Sequence, residues 1–318
     1  MMRRLAAVGA LIALSSCTCA LAGCDGSAGG RQPSPALAPA GAPSGPSNRP
    51  QRADSPPDAP VAAAAPGSSA SASPPGSAPS PPPRLDAPAP FADLPVDGFA
   101  PAVVALPVGA RGRLPVLLAT HGNYDRPEWQ CEVWREIIGR RGFVLCPRGV
   151  ARPDSPGGDD IRFTYTNNQA LEREIAAAMA ALIRRYPDHV DPSAPIYTGF
   201  SLGAIMGVSI ASRDPSLAMR AVLVEGGHDK WTAPVVKAYA ASGGRRVLFA
   251  CGQGGCVAAA RRPAALLEKA GVATRIVHGK GVGHGYGGAV AAEVKSAFDW
   301  VVEGDPRWAA AAPEPRAD

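Results

Sequence analysis

Between Asp25 and Pro90 the chain offers almost nothing to bury. The stretch is Pro, Ala, Ser and Gly with hardly a large apolar side chain, so burial cannot offset the entropy of ordering it. Whatever folds must therefore be assembled from Phe91 onward. The 35 prolines and 36 glycines are spread so unevenly that whole-chain averages say little about domain count. Four segments are expected: a signal peptide over 1–23, a disordered linker over 24–90, one folded domain over 91–303, and a disordered tail over 304–318. No repeat of solenoid length is present. As a flexible coil the linker would reach about 40 Å, and as polyproline II up to about 190 Å.

The N-terminus has the order of a secretory signal. Met1-Met2-Arg3-Arg4 is basic, and Leu5 to Leu14 is an apolar run too short to span a hydrocarbon core of about 30 Å. Leu21-Ala22-Gly23-Cys24 resembles the bacterial lipobox, with Leu14-Ser15-Ser16-Cys17 a weaker match in the same window. That resemblance implies cleavage before Cys24, lipidation of its thiol and amine, and a bacterial cell-envelope lipoprotein held to a membrane, periplasmic or outer-surface. Several acyl chains anchor stably where one does not.

Export changes how cysteines are read. Of seven, Cys131, Cys146, Cys251 and Cys256 fall in the domain, an even number suited to disulfides in an oxidising compartment. Three pairings are open. The local one, Cys131–Cys146 with Cys251–Cys256, is expected because each pair lies within one strand-and-loop neighbourhood. Zinc is disfavoured, since no His or Cys stands at metal-ligand spacing beside either pair. A net charge of +5 without a basic stripe gives nucleic-acid binding no support.

From Ala102 onward, short apolar runs alternate with helical patterns. The runs are 102–106, 116–119, 143–146, 196–200, 221–224, 247–250 and 274–277; helices are expected over 128–139, 168–186, 201–213, 258–270 and 288–302. Several runs are apolar throughout, as in strands covered on both faces. The pattern is that of an α/β fold with a mostly parallel central sheet flanked by helices.

Gly199-Phe200-Ser201-Leu202-Gly203 follows the fourth of these runs and opens an apolar helix. A serine held on a tight strand-to-helix turn is exposed above the sheet edge, and the flanking glycines leave room for it. On this motif and its setting the region from about Ala102 to Val302 resembles the α/β-hydrolase superfamily, its serine esterases in particular. The resemblance implies Ser201 as nucleophile. It places an oxyanion hole at the backbone amides of Asn123, after His121-Gly122, and of Leu202. The base would come after the last strand, as His284 in Gly283-His284-Gly285-Tyr286, with His278 as rival. His121 would shape its loop, His189 would be exposed, and His228 would line the site or cap a loop.

The third member departs from the pattern. Where many relatives have an aspartate after the strand 247–250, this chain has Cys251-Gly252-Gln253-Gly254-Gly255-Cys256, with no carboxylate. Glu225, at the end of the preceding strand, is one candidate acid and Asp229 another; a site with no acid is the third possibility. Gly279-Lys280-Gly281-Val282-Gly283 lacks the ending a phosphate loop needs, and no metal or other cofactor is implied. Tyr124, Trp129, Trp134, Phe163, Tyr165 and Trp231, with the loop Pro153 to Asp160, suggest an aromatic mouth. The resemblance implies cleavage of an ester, less readily an amide, in a small molecule or polymer, through an acyl-enzyme. A catalytically silent envelope binding protein and a peptidase of the same fold are the alternatives. Oligomeric state and substrate identity are left open.

Overall fold

The computed structural model describes residues 82–309. The signal segment, Cys17, Cys24, most of the linker and the end of the tail lie outside the described residues. In chain order the elements are β1 (Phe91–Leu94), β2 (Ala102–Ala105), β3 (Leu114–Thr120), α1 (Pro127–Ile138), β4 (Phe143–Cys146), β5 (Val150–Ala151), β6 (Phe163–Thr164) and α2 (Asn168–Arg185). There follow β7 (Val190–Phe200), α3 (Leu202–Arg213), β8 (Arg220–Val224), α4 (Ala233–Ala241), β9 (Arg246–Cys251), α5 (Gly254–Lys269), β10 (Ala273–His278) and α6 (Gly288–Val302).

Eight strands form one sheet in the order β1-β2-β4-β3-β7-β8-β9-β10. β2 runs antiparallel to both neighbours, and every pair from β4 to β10 is parallel. The strands β3, β4 and β8 are buried along nearly their whole length, which is why they read as unbroken apolar runs. Successive side chains still alternate between faces. Val116 and Leu118 join a core beneath α2, α3, α4 and α5, while Leu117 and Ala119 join a second core beneath α1 and α6. β5 and β6 make a separate two-stranded ribbon.

The folded unit is longer at both ends than the expected 91–303. Leu85 is buried, and its backbone bonds Ala110 and Gly109. After α6, residues 306–308 form a 3-10 turn that buries Trp308, only 1% exposed, edge-on to Phe298 at 5.6 Å. One large aromatic of this kind stabilises by roughly 2–3 kcal/mol when fully buried, sufficient to draw a short polar segment onto the domain. The helix α4 is absent from the expectation because it is short. The helix α5 starts at Gly254 and not at 258. Gly254 and Gly255 occupy its first turn, where the amides have no partner within the helix in any case.

Candidate active site

Four loops converge at the carboxyl ends of the parallel strands, where ligands meet open sheets of this type. They follow β3, β7, β8 and β10, and the loop after β9 meets them at Glu225. Ser201 stands between β7 and α3 with φ 49° and ψ −109°, a left-handed backbone that costs a non-glycine residue about 1–3 kcal/mol. The turn closes because its glycines have no side chain. A Cβ at Gly199 would come within 2.6 Å of the Ala204 nitrogen, and one at Gly203 within 2.5 Å of Thr120 Oγ1. Tyr197 Oη also donates to the Gly203 carbonyl at 2.8 Å.

His284, in the loop between β10 and α6, faces this serine. Its Nε2 is 2.9 Å from Ser201 Oγ, and its Nδ1 is 3.1 Å from Glu225 Oε2. The donor pattern follows from the carboxylate. Glu225 Oε1 accepts the amides of Gly252 at 2.6 Å and Gln253 at 2.9 Å, and a carboxylate can only accept. Nδ1 therefore carries the proton and donates to Glu225, leaving Nε2 to accept the Ser201 hydroxyl. The Glu225 side chain is 2% exposed and the His284 side chain 49% exposed. The carboxylate is sealed and the imidazole opens to solvent.

Of the two candidate acids, the structure brings Glu225 to the histidine and leaves Asp229 away from it. Asp229 is exposed and pairs with Lys230 at 2.8 Å, and that hydrogen-bonded ammonium lowers its pKa. Glu225 also sits at positive φ, 51°, which turns its side chain out of the strand direction. The next residue, Gly226, lies so close that a Cβ there would come within 2.6 Å of the Ser201 carbonyl oxygen. His278 ends β10, paired in register with Cys251, and has no hydrogen bond to Ser201 or to either candidate acid. His121 is fully buried, stacked on Tyr165 at 4.3 Å, with its two ring nitrogens against the carbonyls of Gly122 and Arg148. It shapes the loop after β3. His189 is half-buried and not exposed as expected, at the opposite end of β7 from the serine. His228 lines a cavity with Trp231 and Arg262.

The loop after β3 reaches the serine through Gly122. A Cβ there would meet the Phe200 ring at 2.8 Å and Ser201 Cβ at 3.4 Å. Among the described residues, neither the Asn123 amide nor the Leu202 amide has an acceptor, and the second opens α3, where the helix dipole favours negative charge. The Asn123 side chain accepts from Arg152 at 2.9 Å.

Cys131 is bonded to Cys146 and Cys251 to Cys256. The second pair has a place in the site. Gly252 and Gln253, whose amides hold Glu225, lie inside the loop it closes. Glu225 and the two sulfurs lie within 4.8 Å of one another, but sulfurs bonded to each other have no thiolate to offer a metal. The aromatic mouth needs correction. Trp134, Phe163, Tyr165 and Trp231 are buried core residues; Tyr124, 38% exposed, and half-buried Trp129 alone reach the surface. Arg162 lies over both rings, at 5.6 and 4.4 Å. An aromatic near a strand end has no sequence mark that separates packing from lining.

No family model matches the chain, and no curated protein does. The sheet order and the four converging loops decide the architecture. This is an α/β-hydrolase fold. Among solved structures, the chain is similar to a carboxylesterase from Bacillus cereus, with 16% identity, TM-score 0.45, and coverage of 64% of this chain and 96% of that one. It is also similar to TT1662 from Thermus thermophilus, with 15% identity, TM-score 0.46, and coverage of 67% and 98%. An uncharacterized protein from Bacillus cereus has 12% identity and TM-score 0.47, the match spanning 61% of each chain. At these identities the likeness carries no argument about activity, which rests on the site itself.

Proposed function

We propose that this protein is a serine hydrolase that cleaves carboxylic esters through an acyl-enzyme on Ser201. The observation that carries the reading is the chain of contacts from Ser201 Oγ through His284 to Glu225, on a serine held at positive φ. His284 Nε2 takes the serine proton as Oγ attacks the ester carbonyl. The amides of Asn123 and Leu202 receive the oxygen as it becomes negative, a contribution of about 3 kcal/mol per donor in sites of this type. The imidazolium, stabilised by Glu225, then protonates the departing alcohol. Water activated by the same histidine releases the acid.

The half-exposed histidine supports a site reached directly from solvent, suited to esters on small molecules and on larger carriers. The motif at Leu21-Ala22-Gly23-Cys24 supports export and a lipid anchor, which would place the hydrolase at the cell envelope. A silent binding protein of the same fold draws no support from an apparent lack of a carboxylate, because Glu225 Oε2 stands 3.1 Å from His284 Nδ1.

The test is labelling by a fluorophosphonate probe, wild type beside Ser201→Ala, with parallel turnover of ester and peptide panels. Wild type is expected to label and the variant not to, with turnover of esters ahead of peptides. Folded wild-type protein that neither labels nor turns over any ester would overturn the reading.

A further inference from the structure

The mechanism above leaves one buried carboxylate beside the site unused. Asp125 is 5% exposed and stands in the turn between β3 and α1. Its Oδ2 accepts the Gly122 amide at 3.2 Å and Gln130 Nε2 at 3.3 Å. Its Oδ1 accepts the Arg126 amide at 2.8 Å and the Tyr286 hydroxyl at 3.1 Å. Its backbone is tied to Phe163 of the β5–β6 ribbon in both directions. Four donors thus converge on two oxygens, and they come from three places: the turn that carries Asn123, the start of α1, and the histidine loop.

Two of these donors flank the chemistry. Gly122 immediately precedes Asn123 and lies against Ser201. Tyr286 is two residues beyond His284 and packs edge-on against Phe200 at 4.7 Å, the ring that also meets His284 at 5.1 Å. Burial, together with the neighbouring Asp125 carboxylate, pushes the Tyr286 phenol up, so its hydroxyl stays protonated and donates.

We propose that Asp125 is a positioning residue that ties the oxyanion turn to the histidine loop and sets the distance between the Asn123 amide and the Ser201–His284 pair. This rests on the hydrolase reading. Asp125 touches neither the serine nor the histidine, so it acts through the backbone of Gly122 and through Tyr286. Its effect belongs to the transition state, where the oxyanion forms, and not to substrate binding.

The experiment is steady-state kinetics of Asp125→Asn and Tyr286→Phe beside wild type, with the Tm of each, on an ester that wild type turns over. Asparagine keeps the shape but turns an NH2 toward groups that donate. Asp125→Asn is expected to lower kcat by about 30-fold with KM within threefold, a partial loss of what removing an oxyanion donor costs. Tyr286→Phe, which removes one of the four bonds, is expected to lower kcat by about threefold to tenfold. Affinity for a boronic acid that forms a tetrahedral adduct should fall in step with kcat, while that of a non-hydrolysable substrate analogue holds. A merely structural role would lower Tm and active fraction without that split. Unchanged kcat in folded Asp125→Asn, or a rise in KM alone, would overturn the proposal. Should Asp125→Asn fail to fold, Tyr286→Phe with wild-type kcat and boronate affinity overturns it equally. Wild-type protein that neither labels with fluorophosphonate nor hydrolyses esters would instead sink the hydrolase reading beneath it.

Discussion

The Glu225 side and the Asp125 side of the site follow one plan with different materials. On each, a buried carboxylate gathers backbone amides and one side chain from the same loop: His284 for Glu225, Tyr286 for Asp125. On each, a disulfide stands nearby, but the two do different things. Cys131–Cys146 joins α1 to β4 within the core beneath α1 and α6. Cys251–Cys256 closes the loop whose amides grip Glu225. That loop also touches the histidine loop, since a Cβ on Gly252 would come within 2.2 Å of the Gly283 carbonyl oxygen. A cross-link in the first place lies within the core, and one in the second encloses the two amides that bond Glu225.

The largest expected effect separates the two candidate acids. Glu225→Ala should lower kcat by about 10³- to 10⁴-fold, as loss of the orienting acid does in triads. Asp229→Ala, which removes an exposed partner of Lys230, should leave turnover within about twofold, as surface changes away from the site do. Near-full turnover in Glu225→Ala, with Ser201→Ala dead, would remove the Glu225 side from the comparison altogether.

The two disulfides come next. Replacing Cys131 and Cys146 together by Ala should cost about 3 kcal/mol from the loop-entropy model. That corresponds to a fall in Tm of about 6–12 °C for a domain of this size, with kcat per folded molecule unchanged. Replacing Cys251 and Cys256 by Ala should cost less stability but lower kcat by about tenfold, through a displaced acid. Thermal melts and active-site-titrated kinetics on both pairs check this. If the two pairs shift Tm and kcat alike, the functional distinction between them is wrong.

Much of this was legible before the structure. The strands beneath the site are apolar runs because both faces are covered, and that signal survives without any knowledge of the fold. The turn that carries Ser201 was legible because a strand, two close-packed glycines and a helix leave their mark within five residues. His284 was legible as the histidine placed after the last strand and before the last helix. Which carboxylate meets His284 was not, because Glu225 and Asp229 both follow β8, and four residues of sequence cannot say which one a positive φ turns toward the histidine. Asp125 carried no signal at all. Its partners are a glycine amide, a helix start, a glutamine and a tyrosine 161 positions away, and such convergence exists only in three dimensions. The buried aromatics were misplaced for a related reason. Trp134 lies within α1 and turns into the core beneath α1 and α6, and Tyr165, just after β6, joins the core beneath α2; only the packing shows that they are core.

The smallest expected effect concerns a third buried carboxylate, one that serves neither side of the chemistry. Glu174 of α2 accepts the Gly149 amide at 2.8 Å and lines a cavity of about 500 Å³ with Phe99, Val150 and Tyr165. Burial raises its pKa above the ordinary 4.5, against the pull of the Gly149 and Arg148 amides and the Arg148 charge. A carboxyl with a raised folded pKa binds its proton more tightly in the native state. Its contribution to stability is therefore full below about pH 4.5 and is lost as pH rises through the folded value. Glu225 and Asp125 each hold three or more donors, whereas Glu174 is under-provided, and that is the contrast to test. Glu174→Gln keeps a carbonyl acceptor for Gly149 and removes the titration. Its Tm relative to wild type should rise between pH 4.5 and pH 8 and then level off, with kcat unchanged throughout. Any fixed offset from the new amide is independent of pH, so the slope is the readout. A difference flat across that range would mean that Glu174 is as well provided as the two carboxylates that flank the serine.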